Sequence, residues 1–341
     1  MLKVLLIGYG TVGKMHERKL RELGHDLFIV DPNEAVQFRS LSNINDDFFK
    51  QMNVFDICTP TISHLSVLEE IAERSPFSRV LLEKPVCDVI ALEKMRKFLK
   101  KYPAARLYVN SPYRYASPLL EMLNCTNDFL LKGKKITSIN IEFSKNRTFD
   151  ESNGRFLDPL GAIGYEFFHI LEILSMILSK THIDVAFFLH CLVNRDVNKD
   201  YFDVGLCFDN IDIRLCSSIR GIPFLENDDY ISEYDLILPM SKRMRYRVVE
   251  VTFDSKDKLV VLFDPLHLDG SCYNDMHLLL KYDKKGKSVL RIPSDHLKIS
   301  LKEGISSLYS TCSRENATLR NRLYNYLEYE EIVDVLCNQF I

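Results

Sequence analysis

No stretch of this sequence stays apolar for the roughly 18 residues that a membrane-spanning helix needs. The nearest candidate, Ile163 to Leu178, is broken by Glu166, His169 and Glu172. An excess of charge is also missing: 44 Lys and Arg stand against 47 Asp and Glu, a formal net of −3. That balance gives no footprint for nucleic acid or for a membrane surface. The nine cysteines form neither a C-x-x-C pair nor a sequence cluster with histidine, so no metal site and no disulfide framework is expected. Free thiols fit a reducing compartment, and the expected setting is the cytoplasm. The chain enters an apolar strand at Leu2, which leaves no room for a signal peptide. Internal repeats, linkers and low-complexity tracts are not visible either. What remains, 341 residues of which 46% are hydrophobic, reads as a soluble globular chain long enough for two domains.

The first 118 residues carry the clearest pattern. "KVLLIG" is a continuous apolar run ending in glycine, as expected of a strand covered by helices on both faces. A helix is predicted from about Val12 to Leu23, closed by Gly24, and "DLFIVD" is a second strand. Gly8, Gly10 and Gly13 therefore lie in a strand-to-helix turn, with Thr11 and Val12 between them, and Asp31 ends the next strand about 20 residues on. In that arrangement Gly8 permits the tight turn, Gly10 lets a pyrophosphate approach the backbone, and Gly13 lets helix and strand pack closely. The helix N-terminus offers N–H groups to phosphates. Asp31 is placed to accept hydrogen bonds from an adenosine ribose and to repel a 2′-phosphate, which favours NAD(H). Arg39 could reach such a phosphate, so NADP(H) is not excluded.

Three further strands follow, "NVFDICTP" ending at Thr59-Pro60, "RVLLEKP" ending at Glu83-Lys84-Pro85, and "ARLYVN" ending at Asn110. Helices are expected over Ser63 to Arg74 and Ile90 to Lys101. Ligands of parallel α/β sheets bind beyond the carboxyl ends of the strands, so Gly8, Asp31, Thr59, Lys84 and Asn110 should converge on one crevice. Pro85 biases Lys84 toward an extended conformation, and its ammonium can then donate to a substrate oxygen. The plainer reading is a surface lysine paired with Glu83.

These residues resemble the glucose–fructose oxidoreductase, inositol dehydrogenase and rhizopine-catabolism family, Gfo/Idh/MocA. The resemblance rests on the glycine triplet, on "TPTISH" from Thr59 to His64 and on "EKP" from Glu83 to Pro85, in the family's order and approximate spacing. It implies a Rossmann dinucleotide-binding domain over residues 1–118. Residues 119–341 would form an α+β domain with a largely antiparallel open sheet, for substrate binding and homo-oligomerisation. It implies an NAD(P)(H)-dependent oxidoreductase that moves hydride to or from a sugar, cyclitol or nucleotide-linked sugar. Lys84 maps onto the lysine that contacts the reacting carbon's oxygen, and His64, Pro60, Glu83 and Asn110 onto positions around the cofactor.

The second half supports an antiparallel sheet on its own pattern. "TSINIEFS" alternates as a strand should, and further strands read from Ile183, Tyr201, Ile211, Tyr234, Arg245 and Leu259. Asp209-Asn210 and "DKKG" (Asp283 to Gly286) are turns between them, and a helix from about Asn316 to Cys337 closes the chain. Its chemistry is expected in "RFLDPLGAIGYEFFHI", on a helix from about Leu160 to Ser179. By resemblance, His169 is the family's proton-handling histidine and Arg155 its upstream arginine. Where the family carries aspartate this chain has Tyr165, so either Tyr165 donates directly or Glu166 takes the acid's place. That departure also motivates a second reading, a catalytically silent dinucleotide-binding sensor or partner subunit. Two basic clusters, "SKNR" (Ser144 to Arg147) and "KRMRYR" (Lys242 to Arg247), read as substrate-anion contacts or as solvated faces.

Overall fold

The structure is a computed structural model that describes residues 1–152, 160–179, 183–221, 223–225, 245–263, 266–268, 271–273 and 275–337. The chain divides into two compact units, Met1–Pro112 with His296–Glu331, and Tyr113–Asp295 with Ile332–Ile341. The sequence places the first boundary at 118 and keeps the whole remainder in the second domain. In the structure the division falls at Pro112, and His296–Glu331 return to the first unit.

In the first unit β1 (Lys3–Ile7), β2 (Asp26–Val30), β3 (Val54–Ile57), β4 (Arg79–Leu82) and β5 (Arg106–Val109) form one parallel sheet in the order β2-β1-β3-β4-β5. Val4, Leu5, Leu6, Val80, Leu81 and Leu82 are fully buried, as expected where helices cover both faces. Those helices are α1 (Thr11–Glu22), α2 (Asp46–Phe49), α3 (His64–Arg74) and α4 (Leu92–Lys101). Gly24, at φ +80°, ends α1 in the left-handed region that glycine tolerates. Because β1 has β2 on one side and β3 on the other, the chain's direction of winding reverses at β1. A crevice opens at such a switch point, beyond the carboxyl ends of β1 and β3.

The second unit begins with α5 (Ser117–Leu131) and β6 (Ile136–Lys145), followed by α6 (Thr148–Ser152), α7 (Ala162–Ile177) and α8 (Val185–Cys191). The strands β7 (Leu192–Val197), β8 (Tyr201–Phe208), β9 (Ile211–Ser218), β10 (Arg245–Phe253) and β11 (Lys258–Phe263) come next. A small hairpin, β12 (Leu266–Leu268) and β13 (Ser271–Tyr273), precedes β14 (Met276–Asp283) and β15 (Gly286–Pro293). Eight strands make one sheet in the order β15-β14-β11-β10-β6-β9-β8-β7, antiparallel except where β6 meets β9. Asp209 and Asn210, at φ 48° and 63°, form the β8–β9 turn with the backbone such a two-residue hairpin needs. The strand expected from Ile183 starts only at Leu192. Asp184 accepts a hydrogen bond from the Phe187 N–H (2.7 Å) and so caps α8 in its place. The strand expected from Tyr234 lies outside the described residues.

The chain then returns to the first unit as α9 (His296–Tyr309) and runs on into α10 (Ser313–Cys337). The sequence pattern did not suggest α9. It buries Leu301, Ile305 and Leu308 and packs on β4 and β5. A Cβ on Gly304 would lie 2.8 Å from the side chains of Leu81 and Tyr108, so glycine here serves close packing.

Candidate active site

At the switch point the glycine turn is fixed by contact with the next strand. Gly8 has φ +95°, and a Cβ there would lie 2.7 Å from the Cys58 carbonyl carbon and from the Thr59 nitrogen. A Cβ on Gly13 would come within 2.1 Å of the Gly8 oxygen. By contrast, a Cβ on Gly10 would meet nothing within 4 Å. Gly10 is also the N-cap of α1, with no side-chain cap, so the helix's first N–H groups, at Thr11, Val12 and Gly13, have no capping side chain. Across the crevice Thr59 Oγ1 is buried with no hydrogen-bond partner, as is Ser111 Oγ just beyond β5. Open space at Gly10, uncapped helix donors and buried orphan hydroxyls suit a dinucleotide whose pyrophosphate lies over the turn.

Asp31 is held by three backbone donors. Its Oδ2 accepts from the Tyr9 N–H (2.8 Å), and its Oδ1 accepts from Asn33 (2.8 Å) and Glu34 (3.0 Å). Burial raises its pKa, but these donors outweigh that and hold it below the usual carboxylate value. Arg39 leans on the same loop, with Nη1 donating to the Pro32 and Glu34 carbonyls (3.0 and 2.9 Å).

Beneath the crevice runs a charged network that sequence reading missed. His16, on α1, places Nδ1 2.9 Å from Asp56 and Nε2 3.0 Å from Glu83. All three groups are largely sequestered from solvent. Burial opposes a charged ring, yet Cys58 and Asp56 push the His16 pKa well above its ordinary value. A protonated imidazole therefore bridges two carboxylates. Glu83 in turn accepts from Asn110 Nδ2, and Asn110 Oδ1 accepts from Ser300 (2.6 Å). Burial raises the Glu83 pKa, but bonding to His16 brings it below the usual range. The Cys58 thiol lies 3.3 Å from His16 Nδ1, so a histidine–cysteine cluster exists that no sequence spacing announced.

His64 was expected beside the cofactor. It is buried, with Nε2 2.9 Å from the Thr59 carbonyl and Nδ1 3.3 Å from that of Val86. It thus ties the Thr59-Pro60 turn to the Glu83-Lys84-Pro85 turn, whose Lys84–Pro85 bond is cis. Lys84 is half-buried at the end of β4, and its charge favours ionised Glu83.

In the second unit Gly161 starts α7 at φ +63°, where a Cβ would lie 1.9 Å from the Lys199 oxygen. His169 is buried, with its ring edge-on to Tyr113 (4.8 Å between centroids) and 6.4 Å from Phe143. Glu166 Oε1 lies 2.9 Å from Arg147 Nη2 and 3.3 Å from Arg247 Nη2. The Arg147 guanidinium also sits 3.7 Å over the Tyr165 ring. Of the two replacements for the family aspartate, Glu166 is thus committed to arginines. The "SKNR" cluster is similarly absorbed. Ser144 and Lys145 end β6, and Ser144 donates to Glu142 while Lys145 pairs with Asp150 at 2.8 Å. In "KRMRYR" Tyr246 and Arg247 are held within the fold, while Lys242 to Met244 lie outside the described residues, as does Arg155.

No helix among the described residues is long and apolar enough to cross a membrane. No sequence-family model matches this chain, and no curated protein matches it by sequence. Solved structures do match in fold. One is a UDP-N-acetylglucosamine 3-dehydrogenase from Acidithiobacillus ferrooxidans, with TM-score 0.64, 14% identity and 98% of both chains covered. Another is a variant 3-ketoreductase from Actinomadura kijaniata in complex with TDP-benzene and NADP, with TM-score 0.66 and 10% identity, covering 98% of this chain and 96% of that one. A third is an oxidoreductase from Agrobacterium radiobacter in complex with NAD+, L-tartaric acid and magnesium, with TM-score 0.60 and 13% identity, covering 98% and 94%. The parallel Rossmann-like sheet followed by a mostly antiparallel one, expected from the sequence, is the fold this chain shares with these oxidoreductases.

Proposed function

We propose that this chain is an NAD(P)(H)-dependent oxidoreductase acting on a hydroxyl or keto carbon of a sugar, cyclitol or nucleotide-linked sugar. The observation that carries the reading is the crevice at β1 and β3. There an uncapped glycine turn faces the buried, unpartnered Thr59 hydroxyl, with Glu83 and Lys84 at the end of the next strand. In the matching structures the same fold holds NADP in one case and NAD+ in another.

In this reading Gly8, Gly10, Thr11, Val12 and Gly13 hold the pyrophosphate, Asp31 the adenosine ribose, and Thr59, Pro60, Glu83 and Asn110 the nicotinamide end. The bound dinucleotide supplies or accepts hydride at its nicotinamide carbon. Lys84 donates a hydrogen bond to the substrate oxygen, where charge develops, and lowers the barrier there. The ionised Glu83 beside it is kept in place by His16 and Asn110, so it cannot drift onto the substrate. His169 gives or takes the hydroxyl proton, with Tyr165 as a neutral donor in place of the family aspartate. Arg155 contacts the substrate. NAD(H) is the favoured cofactor because Asp31 is ionised and fixed; Arg39 leaves NADP(H) admissible. A homo-oligomer and a cytoplasmic setting are proposed from resemblance and from the free thiols.

The test is NADH and NADPH consumption over a panel of keto-sugars, cyclitol ketones and nucleotide-linked keto-sugars, with Lys84→Ala alongside. Turnover should fall on the order of 10²–10⁴-fold in the variant, while NADH affinity changes little. Equal turnover would remove Lys84 from the chemistry, and NADH binding with no oxidation across the panel would favour a silent sensor.

A further inference from the structure

The first unit has a second concavity, at the opposite end of its sheet from the glycine turn. A cavity of about 560 Å³ lies between the α4–β5 turn and the opening turns of α10. Tyr102, Arg106, Asn316, Arg320 and Tyr324 line it, with Leu107 and Leu323 among its apolar walls. That volume falls within the range of small-molecule sites, about 300–1,000 Å³.

Its polar groups are incompletely matched. Arg106 donates through Nη2 to the Ser307 carbonyl (2.9 Å), but its Nε is buried with no partner. Asn316 Oδ1 is likewise buried and unpartnered. Directly opposite Arg106 in the β4–β5 register stands Arg79, whose Nε is also buried without a partner. Among the described residues neither arginine forms an ion pair. Like charges facing each other across a strand pair destabilise the sheet, and buried unpaired donors add to the cost. The Arg79 guanidinium stacks 4.4 Å over the Tyr309 ring, and Glu315 offsets part of the charge on Arg106; an anion placed against Arg106 offsets the remaining repulsion and gives its Nε an acceptor. Arg320, exposed and reaching the Pro103 carbonyl at 2.6 Å, adds a second guanidinium at the mouth. Two tyrosines and two leucines offer flat and apolar surface beside these charges.

We propose that this cavity binds a small organic oxyanion, a carboxylate or phosphate carried on a flat or apolar body, at a site separate from the dinucleotide crevice. The test is calorimetric titration of the full chain with phenyl phosphate and with benzoate, inorganic phosphate serving as the probe without a body. At least one aromatic probe should bind more tightly than inorganic phosphate, and which of the two binds better distinguishes phosphate from carboxylate. Arg106→Gln should weaken it by about tenfold or more, the scale of a charge-assisted hydrogen bond. Tyr324→Ala, a half-exposed position that leaves the fold intact, should weaken the aromatic probes but not inorganic phosphate. Asp31→Ala should leave all three unchanged. Failure of both aromatic probes at millimolar concentration, or binding indifferent to Arg106→Gln and Tyr324→Ala alike, would overturn the proposal.

Discussion

His16 shows how a single residue can set the electrostatics under a site. Its ring lies between Asp56 and Glu83 in a region closed to water, so removing it takes from two buried carboxylates the cation that bridges them, leaving Glu83 with only the Lys84 charge nearby. His16→Ala should therefore cost about 3–5 kcal/mol at neutral pH, the usual penalty for breaking a buried pair. Its folded pKa lies well above the ordinary value. Its stabilisation is thus complete below about pH 6.5 and is lost as pH rises through that higher folded value. Urea midpoints across pH should show this alkaline loss in the natural chain and not in His16→Ala; an unchanged profile would mean the ring is neutral. Asp31 supports a second expectation. Because its charge is fixed by three backbone donors, Asp31→Ala should narrow the preference for NADH over NADPH by about tenfold, the worth of one charge-assisted contact. Kinetics with both cofactors decide it. The positions of Gly8, Asp31 and Lys84 at the carboxyl ends of strands were legible because each occupies a fixed place in a local pattern. The His16 network was not, since Asp56 and Glu83 lie far along the chain. One trace was available: Asp56 is a lone acid in the apolar run "VFDIC", and a charge buried in such a strand needs a partner.

At the level of elements, periodicity and turn residues located most strands and the helices of the first unit, and failed where local chemistry competed with the pattern. Asp184 turned an apparent strand into a capped helix. In α9, Leu297, Ile299 and Leu301 alternate like a strand and Gly304 reads as a breaker, although the glycine is there to admit Leu81 and Tyr108. Strand β6 holds another feature that no pattern announces. Glu142, fully buried, accepts from Ser144 and from the N–H groups of Phe224 (3.0 Å) and Leu225 (2.7 Å), and so pins that segment to the sheet. Burial pushes its pKa up to about 7 in spite of these donors. The folded chain therefore holds a proton there that the unfolded chain releases near pH 4.3. Stability should fall as pH rises from about 4.3 to 7, by about 4 kcal/mol for this group. Glu142→Gln, which cannot ionise, should flatten that acid-side slope in denaturant titrations while leaving the alkaline loss assigned to His16. A slope unaltered by the substitution would place the proton elsewhere.

The whole molecule is threaded so that the end of the chain completes its beginning. Residues His296–Glu331 belong to the first compact unit, and α9 lays Leu301, Ile305 and Leu308 against β4 and β5. Ser300 supplies the hydrogen bond that orients Asn110 at the crevice. Sequence order conceals this, because the segment that returns is separated from the strands it covers by Tyr113–Asp295, and hydrophobic pattern reports that a face is buried without saying against what. Burying three such aliphatic side chains is worth about 1.5–3 kcal/mol each, comparable with the 5–15 kcal/mol that holds a typical domain together. A fragment of residues 1–118 should therefore fail to fold cooperatively, with β4 and β5 left open on one face. Joining residues 1–112 to 296–331 through a short glycine-serine linker should restore a cooperative unit, and that unit should bind NADH, since every residue assigned to the cofactor lies within it. Thermal melts followed by circular dichroism, with NADH fluorescence as the second readout, separate the outcomes. A cooperative melt in the 1–118 fragment would show that the returning helices are dispensable, and a folded linked unit unable to bind NADH would show that the crevice needs the second unit to hold its ligand.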